Sequence, residues 1–96
     1  MTAHPGKQML VVDDEPKIRI ISKDILEHHG YSTVLAEDGA EALRAVKERG
    51  VDLVLLDMVM PGMGGMEVLR KMIEVSPGLP VIMITAHGDI PLAVEA

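Results

Sequence analysis

Four short apolar runs, at 9–12, 31–36, 51–56 and 81–84, alternate with segments whose apolar residues recur at helical spacing. Runs this short and this rich in Val, Ile and Leu read as strands buried on both faces. Between them, Ile18, Ile21 and Ile25 form one helical stripe, with Gly30 as its C-terminal cap. Leu43 and Val46 face the core from a second helix, with Asp38 and Glu41 at capping-box spacing and Gly50 as its stop. Met66, Leu69 and Ile73 stripe a third, closed by Ser76, Pro77 and Gly78. Asp89 then caps a fourth helix with Pro91 in its first turn. A strand–helix alternation repeated in this way predicts right-handed crossovers and a parallel sheet with helices on both faces.

At 96 residues the chain holds one domain and one core. A parallel sheet ending at the 81–84 strand leaves a bare apolar edge, so further chain is expected beyond Ala96, or a second copy pairing with that edge. Tyr31 is the only aromatic residue, which excludes binding by aromatic stacking. Nine Lys and Arg against 15 Asp and Glu give a net charge of -6, which repels a phosphate backbone and argues against direct nucleic-acid binding. The absence of cysteine excludes disulfides, thiolate metal sites and a Cys nucleophile. No signal-peptide core and no apolar run near the ~18 residues of a membrane span is present, so a cytoplasmic location without membrane contact is expected.

In doubly wound sheets, ligands bind beyond the carboxyl ends of the strands, where strand order reverses. Asp13 and Asp14 follow the first strand, Asp57 the third, and Thr85 the fourth. If the first and third strands are neighbours, the three aspartates converge on one crevice. Clustered carboxylates repel, and a hard divalent cation relieves that repulsion; oxygen-only ligands suit Mg²⁺ or Mn²⁺. Asp57 can act as a nucleophile toward a phosphoryl group, with the Thr85 hydroxyl donating to a phosphoryl oxygen. The simpler alternative is that these acids are helix caps and dipole partners, Asp14 before Pro16 above all. Other phosphate-binding signatures are missing: neither GxGxxG after a strand nor GxxxxGK[ST] is present, and GxSxG and HExxH are absent too.

The runs Val11-Val12-Asp13-Asp14-Glu15-Pro16, Leu55-Leu56-Asp57-Met58-Val59-Met60-Pro61-Gly62-Met63-Gly64-Gly65 and Val81-Ile82-Met83-Ile84-Thr85-Ala86 closely resemble the receiver domain of two-component response regulators. The stretch from Ile84 to Pro91 looks most like receivers of NtrC-type transcriptional activators. The resemblance implies a flavodoxin-like α/β fold with strand order 2-1-3-4, the family's fifth strand and fifth helix being absent from an incomplete 1–96 domain. It also implies that Asp57 accepts a phosphoryl group from a sensor histidine kinase. Asp13, Asp14, Asp57 and the backbone carbonyl of Val59 would hold Mg²⁺, and Thr85 would be the switch hydroxyl. A transcriptional output domain would lie beyond the C-terminus. The chain departs from the family in lacking the Lys at the end of a fifth strand; none of Lys7, Lys17, Lys23, Lys47 or Lys71 matches that position.

Two other readings stand beside the phosphoacceptor switch: a docking module that is never phosphorylated, and an aspartyl-nucleophile phosphatase, whose DxD spacing this chain lacks. His87, two residues past Thr85, is either a neighbour of the hydrolytic water or an exposed loop residue. Lys17, Arg19 and Lys23 read as a solvated helix face or a kinase contact, and Met58, Met60, Met63 and Met66 as gap-fillers or a pliable partner surface.

Overall fold

The computed structural model describes residues 7–58, 64–85 and 92–95, with side chains omitted for Thr85 and the last four. The elements run β1 (Gln8–Val12), α1 (Pro16–His28), β2 (Ser32–Ala36), α2 (Gly39–Glu48), β3 (Leu53–Asp57), α3 (Gly65–Val75), β4 (Val81–Thr85) and β5 (Leu92–Glu95). The sheet order is β2-β1-β3-β4-β5, and the first four strands are parallel, as predicted.

Alternation along the strands divides the side chains between two faces. Leu10, Val12, Ala36, Val54, Leu56, Val81 and Met83 form a single core with Ala42 and Ala45 of α2 and with Val68, Leu69 and Met72 of α3. A fully buried leucine such as Leu10 or Leu56 contributes about 1.5–3 kcal/mol by leaving water. The opposite face belongs to α1, where Ile18 lines a cleft with Val11, Leu55 and Ile84.

The helix boundaries follow local chemistry. The Asp38 carboxylate accepts the Glu41 N–H at 2.8 Å, and the Glu41 carboxylate accepts the Glu37 N–H at 2.9 Å. This is the predicted capping box, with its return bond displaced one residue upstream. Gly30 and Gly50 follow α1 and α2 at φ 93° and 63°, where side chains with a Cβ are strained.

Three expectations are corrected. The stripe of α3 is rotated: Val68, Leu69 and Met72 are buried, whereas Met66 and Ile73 are exposed. On α1 no residue is buried, and Ile18, Ile21 and Ile25 remain exposed; among the described residues α1 is the one helix on this face of the sheet. The expected fourth helix is replaced, over Leu92–Glu95, by a strand paired antiparallel to β4, with Thr85 opposite Leu92 and Ile82 opposite Glu95. Pairing satisfies an edge of β4 that would otherwise present open donors and acceptors, while a helix of one turn leaves most of its own backbone groups unbonded. No fifth parallel strand is among the described residues. Asp89 and Pro91, named for that helix, lie outside the described residues.

Candidate functional site

Register alone brings the acids together. Val12 pairs with Leu56 across β1 and β3, so Asp13 and Asp57, each the next residue, stand side by side at the carboxyl ends of adjacent strands. The chain leaves β1 toward β2 on one side and returns to β3 on the other, which makes this gap the switch point of the sheet.

Asp13, Asp14 and Asp57 each offer a carboxylate oxygen within 4.8 Å of the other two. Asp13 and Asp57 are half-buried and Asp14 is exposed. The three carboxylates give the cluster the all-oxygen donor set of a hydrated divalent-cation site. The donor set therefore fits the cation implied by the sequence. Burial pushes the Asp13 carboxyl above its usual range; the Glu15 N–H opposes that shift, and the charges of Asp14 and Glu15 reinforce it. An unrelieved negative charge is thus disfavoured here, which is the condition a bound cation removes.

Capping does not account for these acids. The N-cap position of α1 is Glu15, with Pro16 beginning the helix, and no side chain caps it. Asp13 accepts the Glu15 N–H at 2.9 Å, a local turn that holds its carboxylate at the crevice. Its own N–H donates to the Ala36 carbonyl at 3.1 Å, extending the sheet ladder by one residue.

The Asp57 end of β3 is held on two sides. The Met58 N–H donates to the Ile84 carbonyl at 2.9 Å, and the Gly65 N–H donates to the Met58 carbonyl at 3.1 Å. Asp57 pairs with Ile84 in register, so Thr85 ends β4 one residue further toward the crevice. Val59, Met60, Met63 and His87 lie outside the described residues, and the Thr85 side chain is likewise undescribed.

Sequence reasoning missed two residues. Arg19, read as part of a solvated face or a kinase contact, donates from Nη1 to the Asp13 carbonyl at 2.7 Å. Gly65, first residue of α3, packs directly against the end of β3. The signal for Arg19 was its spacing, one turn into the helix that follows the acids. Nothing in the sequence marks out Gly65 from Gly62 and Gly64 beside it.

Comparison with known proteins gives a consistent result. A family model described as response regulator receiver domain matches residues 9–96. The chain is 45% identical over 94 residues to the transcriptional regulatory protein GlrR of Escherichia coli K12, covering 98% of this chain and 21% of that protein. It is 39% identical to the sporulation initiation phosphotransferase F of Bacillus subtilis, covering 95% of this chain and 73% of that protein. Among solved structures, the response regulator TrrA of Thermotoga maritima, in complex with Mg²⁺ and BeF, superposes with TM-score 0.81 at 41% identity. That match covers 85% of this chain and 71% of the other. A CheY-like receiver domain from Methanospirillum hungatei gives TM-score 0.82 at 34% identity, covering 88% and 67%. The chain therefore spans about a fifth of GlrR and roughly two thirds of these two solved chains. Among the described residues, no helix is long and apolar enough to cross a membrane.

Proposed function

Because this chain belongs to the response regulator receiver domain family, a family of phosphoacceptor switches, we propose that Asp57 is its phosphoacceptor and that Asp13 and Asp14 hold Mg²⁺ beside it. The observation that carries the proposal is the convergence of the three carboxylates at the switch point of the sheet.

The Asp57 carboxylate is the nucleophile. One of its oxygens attacks the phosphorus of a phosphohistidine on a sensor kinase, the P–N bond breaks, and the imidazole departs with the electron pair. An acyl phosphate on Asp57 results, and attack by water on its phosphorus later returns the carboxylate and inorganic phosphate. When bound, Mg²⁺ neutralises charge on the transferring phosphoryl oxygens. The protein's part is positioning: β1 and β3 hold Asp13 and Asp57 in register, and the Met58 and Gly65 backbone bonds fix the end of β3. By the family resemblance, Asp57 and the backbone carbonyl of Val59 would be the cation's remaining protein ligands, Mn²⁺ would be an acceptable substitute, and Thr85, which ends β4, would be the switch hydroxyl. This is self-modification by a signalling switch, with no turnover of an external substrate.

GlrR is a transcriptional regulatory protein, in keeping with the NtrC-type resemblance, and we assign this domain to a longer cytoplasmic regulator whose output is transcriptional. With a net charge of -6, the receiver itself does not contact nucleic acid.

The test is incubation with Mg²⁺ and a small acyl-phosphate donor, followed by intact mass. A phosphoryl adduct that requires Mg²⁺ and is absent from Asp57→Asn supports the proposal. A folded version extended through the family's fifth strand and its Lys that still forms no adduct favours a docking module, and continuous turnover of phosphoesters favours a phosphatase.

A further inference from the structure

Arg19 is the least solvated cation on α1. Its side chain is 15% exposed, against 43% for Lys23, and it points toward the crevice end of β1. Nη1 donates to the Asp13 carbonyl at 2.7 Å, the short distance of a charge-assisted bond. Nη2 lies 3.9 Å from the Glu37 carboxylate, just past the end of β2.

The turn that carries the acids lacks the usual anchors. The N-terminus of α1 has no side-chain cap, its first turn contains no acidic residue, and no residue of the helix is buried. Polar ties hold Asp13 instead: its N–H to Ala36, its carboxylate to the Glu15 N–H, and its carbonyl to Arg19. The carbonyl tie fixes the plane of the peptide joining Asp13 to Asp14, and that plane sets where both side chains leave the backbone.

We infer that Arg19 is a positioning residue for the acidic crevice, its guanidinium holding the Asp13–Asp14 peptide so that both carboxylates face one divalent cation. The inference rests on the cation reading given above. The Glu37 contact is long and largely exposed, so it adds little and serves as an internal control.

The test is the Mg²⁺ dissociation constant of the unphosphorylated protein, measured by calorimetric titration alongside thermal melts. Loss of an outer partner of a metal ligand typically weakens metal binding about 10- to 100-fold, and Arg19→Met is expected at the lower end of that range. Arg19→Lys, which restores one donor to the carbonyl, recovers most of the loss. Glu37→Gln stays within about twofold of wild type. In an Asp13→Asn background, Arg19→Met costs less than it does alone, which a general loss of stability would not produce. Arg19→Met binding within about twofold of wild type, or an equal loss in both backgrounds, overturns the inference. Should Arg19→Met fail to fold, Arg19→Gln replaces it: weakened binding on an intact fold supports the role, and unchanged binding refutes it. Wild-type protein that binds no Mg²⁺, or Asp14→Asn binding as tightly as wild type, defeats the cation reading itself and the inference with it.

Discussion

Gly65 stands so close to the end of β3 that a Cβ placed on it would lie 2.7 Å from the Asp57 carbonyl oxygen, and 2.6 Å from the Met58 Cα. Both neighbours are backbone, so neither can swing aside. The first turn of α3 and the residue proposed to receive the phosphoryl group are thereby packed main chain against main chain.

Gly65→Ala therefore forces β3 and α3 apart. Overpacking of this kind costs roughly 1–3 kcal/mol. The expected outcome is a lower melting temperature together with a slower rate of phosphorylation by an acyl-phosphate donor. Gly64→Ala, where a Cβ meets nothing within 4 Å, is the control and should leave the rate unchanged.

Asp13 gives a pH prediction. Burial raises its folded pKa above the ordinary 3.8, so the folded state resists its ionisation. The resulting penalty is absent below pH 3.8 and complete once the pH exceeds the raised folded value. In a chelator, Asp13→Asn should melt higher than wild type at neutral pH, and the difference should shrink on acidification. Saturating Mg²⁺ should raise the wild-type melt more than that of the variant. Melting curves across pH, with and without the cation, check both statements.

Glu27 behaves in the opposite sense. The Thr33 hydroxyl donates to its carboxylate at 2.8 Å and Lys23 at 3.1 Å, holding its pKa below the ordinary 4.5. Its contribution to stability is present above pH 4.5 and is lost as pH falls through the folded value. Thr33→Val removes the larger cause, so an NMR titration of the Glu27 carboxylate should show its midpoint move up toward 4.5.

Asp38→Ala removes the side-chain acceptor at the start of α2. Such a loss costs about 1 kcal/mol. For a domain of this size the melting temperature should fall by about 4–8 °C.

The strands and the acidic crevice were legible in the sequence because both depend on short-range pattern. A buried parallel strand declares itself as an apolar run, and residues just past two such runs become neighbours if the strands pair. The α3 stripe was misread because Met66, Val68, Leu69, Met72 and Ile73 offer apolar residues on more than one face, and only packing chooses among them. Leu92–Glu95 was misread because its local signals favour a helix, while the open edge of β4 rewards a strand. Arg19 escaped notice because its spacing, one turn into the helix after the acids, does not by itself show that the side chain reaches back to a backbone carbonyl.

The most direct check on the phosphoryl acceptor is chemical. The protein is phosphorylated in Mg²⁺, the acyl phosphate is reduced with borohydride, and the resulting homoserine is located by peptide mass spectrometry. Homoserine at position 57, in Mg²⁺-treated samples only, is the predicted result. Homoserine at Asp13 or Asp14, or equal labelling after the cation is chelated, would contradict it.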